Sequence, residues 1–325
     1  MTVAFVTGGS GFIGNRLIRT LRERGDAVYA LARSDAAAKR ISAAGAEPVK
    51  GDIEDPEAVR DAMRGADVVF HLAANTDDWG RPALFEKVNV EGTKNVLWAM
   101  PYAGVERIVH VGPASVLWKG APVVNADETA PTPPKASGWY LRSKLDAERE
   151  VLAARVEGIE PIVVRLGLVW GPGEPGWVPR VIDRIGTGRF KWVGTGKHLI
   201  STTHVANAAH GLILAGDRGR PGEVYFVTDG PPVEFRGLLT RTLKPKGVTP
   251  PDRSTSPGGA RFSAKAGEFF FTLFNIKRAP GITRSSLPLL AGELTVSDAK
   301  ARSELGYEPV IEVDEGLRQL RPPKR

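Results

Sequence analysis

Through the first two hundred residues, short apolar runs alternate with amphipathic stretches. Val3 to Val6, Ala27 to Leu31, Val68 to Leu72, Ile108 to Val111 and Ile162 to Val164 have the length and texture of buried strands. Phe12 to Leu21, Pro82 to Met100 and Tyr140 to Val156 carry apolar or small residues at helical spacing and read as helices. Strand–helix alternation requires crossovers and a sheet covered on both faces, so the pattern predicts an α/β fold with a doubly wound parallel sheet. Beyond Trp170 the texture changes. Gly171-Pro172-Gly173-Glu174-Pro175-Gly176 is a turn-rich break, and the mixed strand and helix signals after it predict an added substrate-binding region. Residues 243–262, rich in Pro, Gly, Ser and basic residues, read as an exposed loop. Phe269-Phe270-Phe271 with Leu273 and Phe274 is too short to span a bilayer; packing against the core is the first expectation, a substrate lid or membrane-facing patch the alternative. The tail Arg321-Pro322-Pro323-Lys324-Arg325 reads as frayed and solvated.

Directly behind the first strand stands Thr7-Gly8-Gly9-Ser10-Gly11-Phe12-Ile13-Gly14. Gly8, Gly11 and Gly14 leave room where backbone must turn sharply, approach a pyrophosphate and pack on the sheet, while the helix start at Phe12 and Ile13 offers free N–H donors. This is the pattern of a dinucleotide site, although any turn before a helix attracts glycine. In dinucleotide sites that take NAD, an acid ends the second strand and holds the ribose hydroxyls. Here Tyr29-Ala30-Leu31-Ala32-Arg33-Ser34 supplies none, and Arg33 can pair with a 2′-phosphate that a carboxylate would repel. NADP is therefore favoured over NAD, with Lys39 and Arg40 available to the same phosphate. The rival is a surface Arg33 with Asp35 holding the ribose. Asp52 and Ile53, in Gly51-Asp52-Ile53, are placed by order to meet the adenine edge; the competing role for Asp52 is capping the next turn.

Composition narrows the class. The 325 residues, 42% hydrophobic, suffice for one large α/β domain or a nucleotide domain with a smaller companion. The absence of cysteine excludes disulfides, thiolate nucleophiles and zinc–thiolate sites. Five scattered histidines suggest no metal; His204 and His210, six apart, do not share a helix face. The formal charge of +7 is spread along the chain without a basic block interleaved with aromatics, so a nucleic-acid partner is not expected. With no stretch approaching the roughly 20 apolar residues of a membrane span and a strand-like N-terminus, a cytoplasmic protein without membrane association is expected.

Tyr140-Leu141-Arg142-Ser143-Lys144 puts a phenol and an ammonium four residues apart on one helix face. A lysine beside a tyrosine favours phenolate, which predicts a lowered phenol pKa and makes Tyr140 a credible acid or base for carbonyl–alcohol interconversion. Lys144 can also bind the nicotinamide ribose. Alone, such a pair is commonly a surface feature; after a glycine turn and a strand series it is more specific.

With these residues assembled, the chain resembles the extended short-chain dehydrogenase/reductase family, which includes sugar epimerases and dehydratases, hydroxysteroid dehydrogenases and dihydroflavonol-type reductases. The resemblance covers nearly the whole chain. It rests on Thr7 to Gly14, Gly51-Asp52, His71-Leu72-Ala73-Ala74, Asn89 to Asn95, Tyr140 to Lys144, Arg165 to Gly173, and Ser303-Glu304-Leu305-Gly306-Tyr307-Glu308-Pro309. It implies a Rossmann domain over residues 1–165 with a returning segment near 204–228, and a mainly substrate-binding region over 166–325. The implied chemistry is hydride transfer at nicotinamide. The family's usual serine or threonine, late in the strand ending near Val111, aligns with Pro113, which has no side-chain donor. Ser115 lies two residues on, about 6 to 7 Å away if the chain stays extended. It is the candidate replacement if the chain bends, with local turn-making as its other role.

Trp79, Trp139, Trp170, Trp177 and Trp192 fall where the family's substrate region should be and suggest a bulky apolar ketone, aldehyde or alcohol, although core packing explains any one of them. The expected protein is thus an NADP-dependent oxidoreductase acting on a small-molecule substrate. Nucleotide-sugar epimerisation or dehydration is the enzymatic alternative, and Pro113 motivates another, a non-catalytic NADP-binding protein. A homodimer is compatible with the chain.

Overall fold

The computed structural model describes residues 1–274, Ile276 and 279–321. Most of the tail expected to be frayed, residues 322–325, lies outside them. Seven parallel strands form the central sheet: β1 (Val3–Thr7), β2 (Ala27–Ala32), β3 (Glu47–Lys50), β4 (Val68–His71), β5 (Arg107–Pro113), β6 (Glu160–Leu166) and β7 (Val224–Val227). Their spatial order is β7-β6-β5-β4-β1-β2-β3. The chain steps outward one way through β1, β2 and β3 and the other way from β4 to β7. The switch between β1 and β4 opens a crevice beyond the strand ends, where doubly wound sheets bind ligands.

Both faces of the sheet are covered, which is why its inner strands carry apolar runs rather than an alternation, whereas the edge strand β3, Glu47-Pro48-Val49-Lys50, is exposed at both ends. Ala4, Val6, Phe70, Val109 and Ile162 pack on one face with residues of α1 (Phe12–Arg24), α2 (Asp35–Ala44) and α7 (Val205–Arg218). Phe5, Val69, Ile108 and Val163 point the other way, onto α3 (Pro56–Met63), α4 (Gly92–Ala103) and α5 (Trp139–Ala153). A separate apolar cluster joins Trp170, Trp192 and Ile200 to α6 (Trp177–Gly186), α8 (Phe235–Leu243) and α10 (Val313–Gln319).

Three segments depart from expectation. Pro82 to Met100 is not one regular helix: a single turn at Pro82–Phe85 and a wide π-helical segment at Glu86–Glu91 precede α4. Residues 243–262 are not all loop, because α9 (Pro257–Leu273) begins within them, capped by Ser256 Oγ, which accepts from Gly259 N at 3.0 Å. The aromatic run does not pack on the core: Phe269, Phe270, Leu273 and Phe274 are 64%, 54%, 63% and 66% exposed. Phe271 turns the other way and meets the edge of Trp79 at 6.1 Å between ring centres.

Candidate active site

The turn after β1 sits in the crevice. Gly8 takes φ +72°, and a Cβ there would lie 2.7 Å from Ala73 N. At Gly14 a Cβ would collide with the carbonyl oxygen of Gly8, so strand, turn and helix close up only around glycine. Gly11 caps α1 without a side chain to accept the first-turn amides, and that turn holds no acid. Nearby, Arg16 Nε and His204 Nε2 are buried without hydrogen-bond partners among the described residues. His204 Nδ1 accepts from Ala206 N at 3.3 Å, so the neutral ring carries its proton on Nε2. Both side chains line a cavity of about 720 Å³ together with Ser10, Gly11, Phe12 and Arg40. Open amides and unmatched donors with no facing acceptor are what the phosphates of a dinucleotide require, and the residues present fit that group.

The remaining cradle candidates lie along β2 and β3, beside β1. Arg33 is exposed one residue beyond β2, and Lys39 and Arg40 are exposed on α2. Asp52 Oδ1 accepts from Glu54 N at 3.1 Å, the turn-capping role foreseen as its rival. Ile53 is buried against Gly92.

Tyr140, Lys144 and Glu148 follow one another at four-residue spacing along α5. Lys144 is buried, and its Nζ lies 3.2 Å from His110 Nε2 on β5. Burial pushes the Lys144 pKa down to about 8, against the opposing pull of Glu148. The Tyr140 phenol is pushed up to about 12 by burial, with Arg180 of α6 pulling the other way. The expected lowering of the phenol by Lys144 is therefore not found. Desolvation of the phenolate dominates, and the Nζ hydrogen bond goes to His110 rather than to Tyr140.

His110 belongs to a line of side chains running back to the glycine turn. It pairs in register with His71 at the end of β4, with ring centres 5.2 Å apart. His71 is saturated: Thr7 Oγ1 lies 2.8 Å from Nδ1 and Thr93 Oγ1 2.8 Å from Nε2. Thr93 Oγ1 donates to Asn89 O at 2.6 Å, so it accepts from His71 Nε2–H, and Thr7 donates to Nδ1. Asn89, turned inward by the π-helical segment, donates to Ser143 Oγ at 2.9 Å and to Asn75 O at 3.0 Å, tying α5 to the loop after β4. Beneath Lys144, Glu148 holds Arg165 of β6 through two bonds of 3.0 and 2.6 Å, with both side chains buried.

Pro113 is the last residue of β5, and the chain turns at once into a single 3-10 turn, Ala114–Leu117. Ser115 therefore sits in a bend, not two residues along an extended strand. Its backbone oxygen accepts from Trp118 N at 3.1 Å, and its hydroxyl makes no hydrogen bond among the described residues.

Against known proteins, residues 5–257 match the model of the 3-beta hydroxysteroid dehydrogenase/isomerase family. The chain belongs to that family. It is accordingly an oxidoreductase of the extended short-chain dehydrogenase/reductase type. One relative, 42% identical over 98% of this chain and 95% of its own length, is the 4-hydroxy-2-methyl-3-oxo-4-farnesyl-3,4-dihydroquinoline-1-oxide ketoreductase of Stigmatella aurantiaca. Another is the 2-alkyl-3-oxoalkanoate reductase of Stenotrophomonas maltophilia, 34% identical over 97% of each chain. Among solved structures, MoeE5 in complex with UDP-glucose and NAD is 25% identical with a TM-score of 0.74, over 98% of this chain and 96% of that one.

Burial and hydrogen bonding sort the tryptophans. Trp170 and Trp192 are core residues, their Nε1 groups donating to Asp229 Oδ2 at 2.7 Å and Pro251 O at 2.9 Å, so the expectation that they line a substrate pocket is corrected. Trp79, Trp139 and Trp177 stay half-buried. Sequence reasoning quoted His71, Asn89 and Arg165 only within motifs of the resemblance and gave them no role, and it missed His110 and Glu148. Glu148 had a signal, its spacing from Tyr140 and Lys144; His110 had none, since only strand order brings it beside His71. Among the described residues no helix is long and apolar enough to cross a membrane.

Proposed function

We propose that this oxidoreductase is an NADP-dependent reductase of bulky apolar ketones, with Tyr140 as the acid. The observation that carries the reading is the line of side chains from Thr7 at the glycine turn through His71 and His110 to Lys144, which joins the phosphate cradle to the Tyr140 helix. The nicotinamide supplies the hydride when bound. Tyr140, with its pKa up near 12, is protonated at neutral pH and suits proton donation to the developing alkoxide, hence reduction. Lys144, partly charged near pH 8, supports that site and is available to the ribose. Arg33, exposed just beyond β2, is available to a 2′-phosphate. The names of the two reductase relatives, one acting on a farnesyl-bearing dihydroquinoline oxide and one on 2-alkyl-3-oxoalkanoates, favour an apolar ketone here.

A second reading, cofactor binding without turnover, is favoured by Pro113 at the usual hydroxyl position. NADPH oxidation over a panel of bulky ketones separates the two: turnover that falls in Ser115→Ala supports a reductase using the 3-10-turn hydroxyl, whereas binding with no turnover across the panel sinks the first reading. For the cofactor, NADPH is expected to bind about tenfold or more tightly than NADH, a preference that Arg33→Ala abolishes. Equal affinities in the unmodified protein would remove the NADP assignment.

A further inference from the structure

His110 is buried at the heart of the site. Its neutral ring accepts from Lys144 Nζ at Nε2, so its proton sits on Nδ1, which is buried and has no partner among the described residues. A buried N–H left unmatched is unfavourable, because its hydrogen bonds to water are lost without replacement. The neighbouring His71 cannot take over, because Thr7 and Thr93 occupy both its nitrogens. Glu148, one turn beyond Lys144 on α5, is engaged by Arg165.

We propose that His110 is a positioning residue for Lys144. Its Nε2 holds Nζ beneath the crevice and leaves the other two ammonium protons for the ribose and the Tyr140 side. This role rests on the reading that Lys144 meets the cofactor. His110 remains an acceptor throughout the working range, since burial together with Lys144 and His71 keeps its own pKa well below 6.5. A neutral acceptor favours the charged lysine, offsetting part of the desolvation. The charged and titratable groups around the pair are Tyr140 and Glu148 on α5, His71 on β4, Arg165 on β6, and Arg180 on α6 beside Tyr140.

The test is NADPH affinity from pH 6 to 10, read by tryptophan fluorescence, in the unmodified protein, His110→Phe, His110→Gln and Lys144→Met. The unmodified protein loses affinity as pH rises past about 8, where Lys144 gives up its proton. In His110→Phe this loss moves about one pH unit lower, leaving affinity at pH 7.5 down by about threefold. His110→Gln, whose amide oxygen reaches the Nε2 position, restores the original profile, which a purely structural role would not predict. An unchanged profile in His110→Phe, with Lys144→Met impaired at every pH, overturns the inference alone. A harmless Lys144→Met overturns the underlying reading as well. Nitrogen-15 NMR of the unmodified protein needs no folded Phe variant: a pyridine-type His110 Nε2 that shifts in Lys144→Met is expected, and a protonated Nε2 refutes the proposal.

Discussion

Lys144 illustrates how burial overrides adjacency in this site. The Tyr140–Lys144 spacing was legible in the chain, but the protonation that spacing suggests was not, because it depends on which acceptor reaches Nζ first. That acceptor is His110, which lies 34 residues away in sequence. The Glu148–Arg165 pair beneath poses a sharper energetic test. Both partners are nearly inaccessible, at 2% and 5% side-chain exposure, so removing one leaves a buried charge uncompensated. Glu148→Leu is expected to cost about 3 to 5 kcal/mol by urea unfolding. A loss below about 1 kcal/mol would mean that Arg165 finds water or another partner.

At the level of elements, β1, β2, β4, β5 and β6 were readable because both faces of the sheet are covered there and no alternation interrupts their apolar runs, whereas the edge strand β3, Glu47-Pro48-Val49-Lys50, has no such run and β7 was not named as a strand. The glycine turn was readable for a steric reason that the structure makes explicit. Gly14→Ala would drive a methyl group into the Gly8 carbonyl, forcing α1 off the sheet. We expect it to weaken NADPH binding at least about a hundredfold while the far core around Trp170 and Trp192 keeps its near-ultraviolet circular dichroism; an unaltered dissociation constant would contradict the cradle. The π-helical segment was hidden because one extra residue per turn leaves helical composition unchanged, although it is what turns Asn89 inward. The start of α9 was hidden for the opposite reason. Ser256-Pro257-Gly258-Gly259 has loop composition, yet Ser is the cap and Pro sits at the first helical position, where its missing N–H costs nothing.

At the scale of the whole molecule, β1, β4 and β5 bring together residues that no local window could join. Thr7, His71 and His110 lie side by side only because the strand order reverses between β1 and β4. The same order puts the glycine cradle and the Tyr140 helix at one crevice, while the C-terminal region builds a separate core around Trp170 and Trp192. The exposed aromatic face of α9 was misjudged because a run of phenylalanines does not reveal which side of a helix meets the core. The central claim is that this assembly reduces a ketone with Tyr140 as the proton donor. Its most direct test is NADPH oxidation with a bulky apolar ketone at saturating cofactor, measured beside NADPH affinity, in the unmodified protein and in Tyr140→Phe. The account predicts a rate lower by about a hundredfold to ten-thousandfold with affinity unchanged; equal rates in the two proteins would contradict it.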